Sequence, residues 1–361
     1  MRLSDIIAIL EQIAPTKFAE PWDNVGLLAG DPAAAVSRVL LTIDYTKAVA
    51  AEAITTQSEL VVAYHPPIFE PLKRLKAGDV VFEAVRSEIA IYSPHTALDV
   101  ADGGTNDMLA DVLGLQNRAP LRPAAPAASH YKLVTFVPAE SVEKVSQAIF
   151  TAGAGRIGHY SSCSFRAAGE GTFFGDASTN PAVGQRGKLE RAPEIRLETV
   201  VPIASAAAVI AALRAAHPYE EPAFDLNQLA VELGGRGMGR IGSLDAPRAD
   251  VIESIKKGLG IPQLLIAGPI DGRVKKAAVC AGSCGNLLGD AISSGADLFL
   301  TGEVRHHDAL KAAAAGMTVV CALHSNSERP VLTRLASRLR AAAPQLAIAV
   351  SAADRDPFEI R

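Results

Sequence analysis

The sequence predicts a two-piece α/β domain with a mainly parallel sheet, interrupted by an α+β insert of ferredoxin-like order. Three observations predict it. Residues 1–118 alternate short apolar strands with helical stretches, the pattern of parallel βαβ units with helices on both faces. From Tyr131 the order becomes β-α-β-β-α-β, the ferredoxin-like arrangement. After the glycine-rich stretch LGGRGMGRIG at 233–242, read as a turn, the α/β alternation resumes. The expected domains are 1–125 joined with 239–361, and 126–238 as the insert. Two domains also suit a chain of 361 residues.

Each element has its own signal. Ser4 caps a first helix ending near Ala14-Pro15. VSRVLLTIDYT is a strand with Asp44 near its end. Residues 48–56 are helical, ELVVAYH is a strand, VVFEAVRSEI a helix and IAIYS a strand, with a helix through NDMLADVLGL. LRPAAPAASH (121–130) shifts to Pro and Ala and reads as a linker. In the insert, YKLVTFVPA, CSFRAAGEGTFF, EIRLETVVPI and AFDLNQLAV are strands. SVEKVSQAIFTAG and SAAAVIAALRAAH are helices. The last piece reads VKKAAVCAG, DLFLTG, MTVVCAL and QLAIAVS as strands. NLLGDAISSG, HHDALKAAAAG and a stretch through RPVLTRLASRLRAA are the helices between them.

Composition narrows the function classes. Hydrophobic residues make up 49% and charged ones 20%, enough for a sizeable core and too apolar for wholesale disorder. A net charge of −4 carries no basic surplus for nucleic acid. The four cysteines, Cys163, Cys280, Cys284 and Cys321, form no Cys-x-x-Cys pair. Asp5 and Glu11 interrupt the apolar start, so no secretory leader is expected. Both points favour a reducing, cytoplasmic setting. No run is apolar and long enough to span a bilayer.

The chemistry-bearing residues fall just after apolar runs: ELVVAYHPP, IAIYSPHTALD, DLFLTGEVRHHD and MTVVCALHSNSE. In open α/β sheets, ligands bind beyond the carboxyl ends of the strands, so four segments offer metal-type ligands to one crevice. His324 and Glu328 lie four apart at a helix start and project from one face. The plainer reading is that Glu328 complements the helix dipole while Ser325 or Asn326 caps it. His65 is held at a strand tip by Pro66-Pro67, or is simply a buried, hydrogen-bonded histidine. His95 and Asp99 are again four apart, as ligand and partner or as a capped turn. Glu303, His306 and His307 follow DLFLTG as acid, base or substrate contacts, although both histidines lie on a helix that must also have a solvated side, so at least one reads as structural. Asp44 and Asp354-Arg355-Asp356 are strand-end candidates of less weight. His95 and His306 are the candidate proton carriers. A set of His, Asp and Glu without thiolate suits Zn, Fe or Mn. Such an ion with an open position lowers the pKa of bound water. Gly153-Ala154-Gly155-Arg156-Ile157-Gly158 matches G-x-G-x-x-G, but a helix precedes it and a strand follows, the reverse of a dinucleotide fingerprint; it reads as a turn.

PWDNVGLLAGD, YHPPIF, SPHTALDVADGGTND, GSCGNLLGDAISSGADLFLTGEVRHHDAL and HSNSERP together resemble the Nif-three-like family, whose bacterial members are called GTP cyclohydrolase I type II homologues. The insert, with GAGRIGHYSSCSF, GEGTFF and HPYEEPAFDL, resembles the CutA/PII-like domain of the longer bacterial members. The resemblance implies a two-metal site in each subunit and a ring-shaped homohexamer. Its ligands fall on His65, Asp99, His324 and Glu328, with Glu328 bridging. One departure matters. Many bacterial members have His-His where this chain has Tyr64-His65. A phenol with an unperturbed pKa of about 10 is a poor ligand, so one firm divalent ion and one weak or absent one are expected.

Two functions follow. The first is a metal-dependent hydrolase of a small nucleotide-like or heterocyclic substrate, GTP cyclohydrolase-like by resemblance. The second is a non-enzymatic metal-binding regulator or scaffold acting through the insert, where HPYEEP packs His217, Tyr219, Glu220 and Glu221 into one turn. The plainer reading of that turn is a helix ended by His217-Pro218. A nucleic-acid-associated role has no support from the charge.

Overall fold

The computed structural model describes residues 1–124, 130–229 and 236–359. It is a mixed α/β protein with three sheets, divided into two compact units, Met1–Ala124 with Gly234–Arg361, and Ala125–Leu233. The first expected domain boundary, after residue 125, lies outside the described residues.

The first piece runs α1 (Leu3–Ile13), β1 (Gly26–Ala29), β2 (Arg38–Thr42), α2 (Lys47–Thr55), β3 (Leu60–Ala63), α3 (Val80–Arg86), β4 (Ala90–Ser93), α4 (His95–Val100), α5 (Thr105–Leu113) and β5 (Gln116–Pro123). Helix α1 starts two residues earlier than the Ser4 cap predicts. Arg2 is its N-cap, and the Asp5 carboxylate accepts from the Arg2 N–H. The insert runs β6 (His130–Pro138), α6 (Val142–Thr151), β7 (Ser164–Phe174), β8 (Leu189–Pro202), α7 (Ala206–Ala216) and β9 (Phe224–Gln228). Its strands pair antiparallel in the order β7-β8-β6-β9. Leu133, Val137, Leu197 and Val201 pack on Val145, Ile149, Val209 and Leu213 of the two helices.

The second piece runs β10 (Gly237–Pro247), α8 (Arg248–Leu259), β11 (Leu265–Ala267), β12 (Arg273–Ser283), α9 (Leu287–Ser293), β13 (Leu298–Glu303), α10 (His306–Ala314), β14 (Thr318–Cys321), α11 (His324–Glu328), α12 (Pro330–Ala342) and β15 (Ala347–Val350). No helix among the described residues is long and apolar enough to cross a membrane.

The outer pieces build two sheets where the sequence predicts one mainly parallel sheet. The first, β1-β4-β3-β2-β15, is parallel except at its β1 edge. Its central strands are buried on both faces, which is why they read as unbroken apolar runs. Leu41, Leu60 and Val62 face a core with Leu3, Leu10, Leu335 and Leu339. Leu40, Val61 and Ile91 face Val49, Ala53 and Ala84 on the other side. Fully burying each such side chain contributes about 1.5–3 kcal/mol.

The second sheet, β11-β14-β13-β12-β10-β5, is mixed. Only β12-β13-β14 pair parallel; β10 lies antiparallel to both β12 and β5. Most of the predicted glycine-rich turn is therefore strand β10, and the expected boundary after residue 238 falls inside it. The glycines serve close approach. A Cβ on Gly237 would sit 2.2 Å from the Arg122 carbonyl oxygen of the adjacent strand. Likewise Leu121 to Pro123, read as linker, belong to β5.

Arg240 of β10 ties the two pieces together. It is 2% exposed. Its Nε and Nη2 bond both Asp107 oxygens at 2.6 and 3.1 Å, and its remaining N–H groups reach the carbonyls of Gly237, Gly239 and Ala101.

Candidate metal centre

The carboxyl ends of β3 and β14 meet, and they bring His65 and His324 together with ring centroids 5.3 Å apart. Glu328, one helical turn after His324, enters between them. Its Oε1 lies 3.3 Å from His324 Nε2 and its Oε2 lies 3.3 Å from His65 Nε2. Among the described residues, His65, His324 and Glu328 are the one group of potential metal donors whose ligand atoms all fall within 4.8 Å of one another.

The backbone is bent to make this possible. Leu323 has φ of +69° and His95 has φ of +25°, a region bulky residues rarely occupy. Such outliers concentrate at functional sites. Gly282 supplies the floor. Its φ is +59°, and a Cβ there would lie 2.4 Å from Glu328 Oε1 and 3.1 Å from His324 Nε2. Ser327 Oγ accepts the Gly282 N–H at 2.8 Å, and Thr301 Oγ1 donates to the Gly282 carbonyl at 3.2 Å.

Each imidazole is oriented by a carboxylate on its Nδ1. His65 bonds Asp44 at 2.9 Å, His324 bonds Glu303 at 3.0 Å, and His95 bonds Asp23 at 2.7 Å. Carboxylate-to-Nδ1 contacts of this kind commonly fix the tautomer of metal-binding histidines and leave Nε2 free to ligate. The atoms left over match that role. His65 Nε2 and Glu328 Oε2 are buried without a hydrogen-bond partner, a state that needs a ligand or a strong charge to be tolerated. A divalent cation fits this donor set.

The electrostatics agree. Burial opposes a charge on His65, yet its hydrogen bond to Asp44 and the charges of Glu328 and Asp44 carry its pKa up to about 10. The Glu328 hydrogen bond, opposed by burial, raises His324 to about 9. Glu328 itself is held below the usual carboxylate range: burial pushes upward, and the two imidazoles overcome it.

The other predicted residues take different places. Asp99, buried on α4, stands outside the three-residue cluster and accepts a hydrogen bond from the Tyr64 hydroxyl. Burial lifts its carboxyl to about 6, with the Tyr64 bond opposing and the Glu328 charge assisting. Tyr64 is fully enclosed. Burial and the charges of Asp99 and Glu328 hold its hydroxyl well above its ordinary range. His95 joins the cluster edge through ring contacts with Tyr64 and His65 at 5.7 and 5.3 Å. The structure does not bring His306 or His307 into the cluster. Both are exposed at the start of α10, and their rings touch each other at 5.4 Å. Asp354 and Asp356 support α11: Arg329 pairs with Asp354, and Ser325 Oγ donates to Asp356 at 2.8 Å.

Two partners escape sequence reasoning. Asp23 lies in a loop with no apolar run before it, 72 residues from His95. Asn106 is fully buried; its side chain donates to the Asp99 carbonyl at 3.0 Å and accepts from the Ala281 N–H at 2.9 Å. The WDN and TND motifs containing them were the available signals.

Comparison with known proteins adds an independent line. A sequence model of the Duf34/NIF3 (NGG1p interacting factor 3) family matches residues 1–357. A Halalkalibacterium halodurans protein named "GTP cyclohydrolase 1 type 2 homolog" is 35% identical over 362 residues, covering 98% of this chain and 97% of that relative. A solved Bacillus cereus protein related to NIF3 superposes with a TM-score of 0.77 at 34% identity, covering 100% of this chain and 99% of the other. The Staphylococcus aureus protein SA1388 superposes with a TM-score of 0.83 at 27% identity and the same coverage.

Proposed function

The chain belongs to the Duf34/NIF3 family, and on that premise we propose that it is a divalent-metal-dependent hydrolase of a small nucleotide-like or heterocyclic substrate. One observation carries the reading: each Glu328 oxygen faces a different imidazole Nε2 at 3.3 Å, and both imidazoles are held from behind by carboxylates. His65, His324 and Glu328 would hold the cation, with Asp99 behind them. A bound divalent cation supplies a Lewis acid and lowers the pKa of coordinated water.

The chain's own residues supply the rest. Asp44 and Glu303 fix which imidazole nitrogen points inward. His95, with Nδ1 committed to Asp23, keeps Nε2 as a proton carrier at the edge of the cluster. Tyr64 keeps Asp99 in one orientation. Because Tyr64 stands where many relatives carry histidine, one ion binds firmly and the second weakly or not at all. Zn, Fe and Mn all suit the donors.

The resemblance further supports a ring-shaped homohexamer and a CutA/PII-like insert, and four free cysteines suit a cytoplasmic setting. Light scattering would check the assembly. The relatives' printed name makes GTP the first substrate to try. A panel of hydrolase substrates including GTP, assayed with and without added metal, tests the proposal. Turnover that depends on metal and on Glu328 supports it; no metal-dependent turnover anywhere in the panel counts against it.

A further inference from the structure

Two sequence motifs that the metal chemistry leaves unused, GEGTFF and HPYEEP, meet at one cavity within the insert. It measures about 780 Å³, a volume that suits a small molecule. Phe136 of β6, Phe173 of β7, Glu194 of β8 and the turn Tyr219-Glu220-Glu221 line it.

Hydrogen bonds hold that turn in place. His217 ends α7, as the plainer reading expects, but its ring does more. Nε2 donates to the Phe136 carbonyl at 3.0 Å, and Nδ1 accepts the Tyr219 N–H at 3.1 Å. Burial keeps the His217 pKa below its ordinary value, so the ring is neutral at neutral pH, the form with one donor and one acceptor. Tyr219 is fixed as a result. Its ring centroid lies 6.4 Å from that of Phe173, with the planes at 53°, and its hydroxyl donates to Glu194 Oε1 at 2.7 Å. The Glu220 carboxylate accepts the Asn180 N–H at 2.9 Å, which ties the loop after β7 to the same turn. Gly171 of the first motif makes room for Glu194: a Cβ there would lie 2.2 Å from Glu194 Oε2.

The charges around the cavity do not balance. Arg196, the one basic side chain lining it among the described residues, pairs with Glu198 at 2.7 Å, and Glu170 pairs with Arg191 at 2.7 Å. Glu194, Glu220 and Glu221 have no ion-pair partner among the described residues. Carboxylates gathered beside aromatic faces attract an ammonium group in two ways, as acceptors of its N–H groups and through the ring quadrupoles. Rings inclined to each other, as Phe173 and Tyr219 are, wrap a rounded ammonium group and give a flat ring no common face.

We propose that this cavity binds a small organic ammonium ion with an apolar body. Glu194 and Glu220 accept its N–H groups, and Phe136, Phe173 and Tyr219 enclose the rest. His217 and Gly171 are positioning residues. None of these residues belongs to the metal cluster, so the claim does not depend on the hydrolase reading.

The probes are 2-phenylethylammonium, its neutral counterpart 2-phenylethanol and the anion phenylacetate. Each is titrated by calorimetry and saturation-transfer NMR into chelator-treated, full-length protein at neutral pH. The ammonium ion should bind saturably, the alcohol about tenfold more weakly, and phenylacetate not at all. Glu194→Gln should weaken ammonium binding about tenfold while circular dichroism and zinc uptake stay at the wild-type level. Gly171→Ala, whose added methyl meets only the Glu194 carboxylate, should do the same. Zinc-loaded protein should bind the ammonium ion as metal-free protein does.

No saturable binding of the ammonium ion overturns the proposal. Equal binding of the alcohol or of phenylacetate overturns it too, because the cavity then selects for the ring and not the charge. Full affinity in Glu194→Gln removes the role of the carboxylate and the proposal with it. Ammonium binding that disappears as the protein self-associates shows the cavity covered by a second copy, and contradicts it as well. Zinc uptake without ammonium binding would leave the metal site standing, and the reverse result would leave this one.

Discussion

The Tyr64 hydroxyl donates to Asp99 Oδ1 inside a pocket from which both side chains are closed to water. Thr105 Oγ1 completes the arrangement by donating to the Tyr64 oxygen at 3.3 Å. The phenol uses its only hydrogen on the carboxylate. It orients Asp99 without offering an ion the lone pair that an imidazole would.

Replacing that phenol should change the ion count. Tyr64→His is expected to raise tightly held zinc from one equivalent per chain to two. Tyr64→Phe should not raise it, and by removing the bond that lowers the Asp99 pKa it should weaken the existing ion at mildly acid pH. Elemental analysis after dialysis reads both; an unchanged count in Tyr64→His would remove the role assigned to Tyr64.

Metal uptake should expel protons. With His65 raised to about 10 and His324 to about 9, both imidazoles are charged at neutral pH in the metal-free protein and must deprotonate to ligate. Calorimetric titrations with zinc in buffers of different ionisation enthalpy should show proton release, and affinity should rise with pH.

The same shifts set the pH dependence of the metal-free fold. Both histidines have folded pKa values above the unfolded value of about 6.5. Their contribution is complete below that pH and is lost as pH rises through about 9 and 10. Glu328 and Asp44 are shifted down, so their contribution exists above their unfolded values and is lost in acid. The melting temperature of chelator-treated protein should therefore decline from pH 7 to 10, and bound zinc should flatten or reverse that decline. A melting temperature that climbs across this range without metal would contradict the assignment.

The carboxylates behind the imidazoles should matter to the ion without touching it. Asp44→Asn and Glu303→Gln are each expected to lower zinc affinity by roughly 10- to 100-fold. Asp23→Asn, whose histidine lies at the cluster edge, should leave zinc affinity nearly unchanged and alter the pH profile of any turnover.

Arg240 should be a determinant of the fold alone. Arg240→Ala removes a buried guanidinium, leaves three carbonyls without their donor and leaves Asp107 with the Gly103 N–H in place of its charged partner, an expected loss of about 3 kcal/mol. Denaturant titration measures it. Arg240→Lys should recover only part of the loss, because one ammonium cannot serve both Asp107 oxygens and three carbonyls.

Much of this was legible in the chain. His65, His324 and Glu328 stand out because each follows an apolar run, and buried parallel strands leave such runs in the text. The βα alternation and the β-α-β-β-α-β order of the insert are legible for the same reason. What escaped was set by tertiary contact. Helix α4 has six residues and begins at the strained His95, so it reads as a turn. Strand β11 has three residues, too few for a period. Strand β10 is disguised by glycines that pairing on both edges requires. Asp23 meets His95 only after the chain folds.

The account rests on Glu328 joining His65 and His324 at one ion. Equilibrium dialysis of chelator-treated protein against zinc, wild type beside Glu328→Gln, tests this most directly. One tight equivalent per chain in the wild type, lost in Glu328→Gln while the fold persists by circular dichroism, is the predicted result. No tight zinc in the wild type, or full zinc retention in Glu328→Gln, would contradict it.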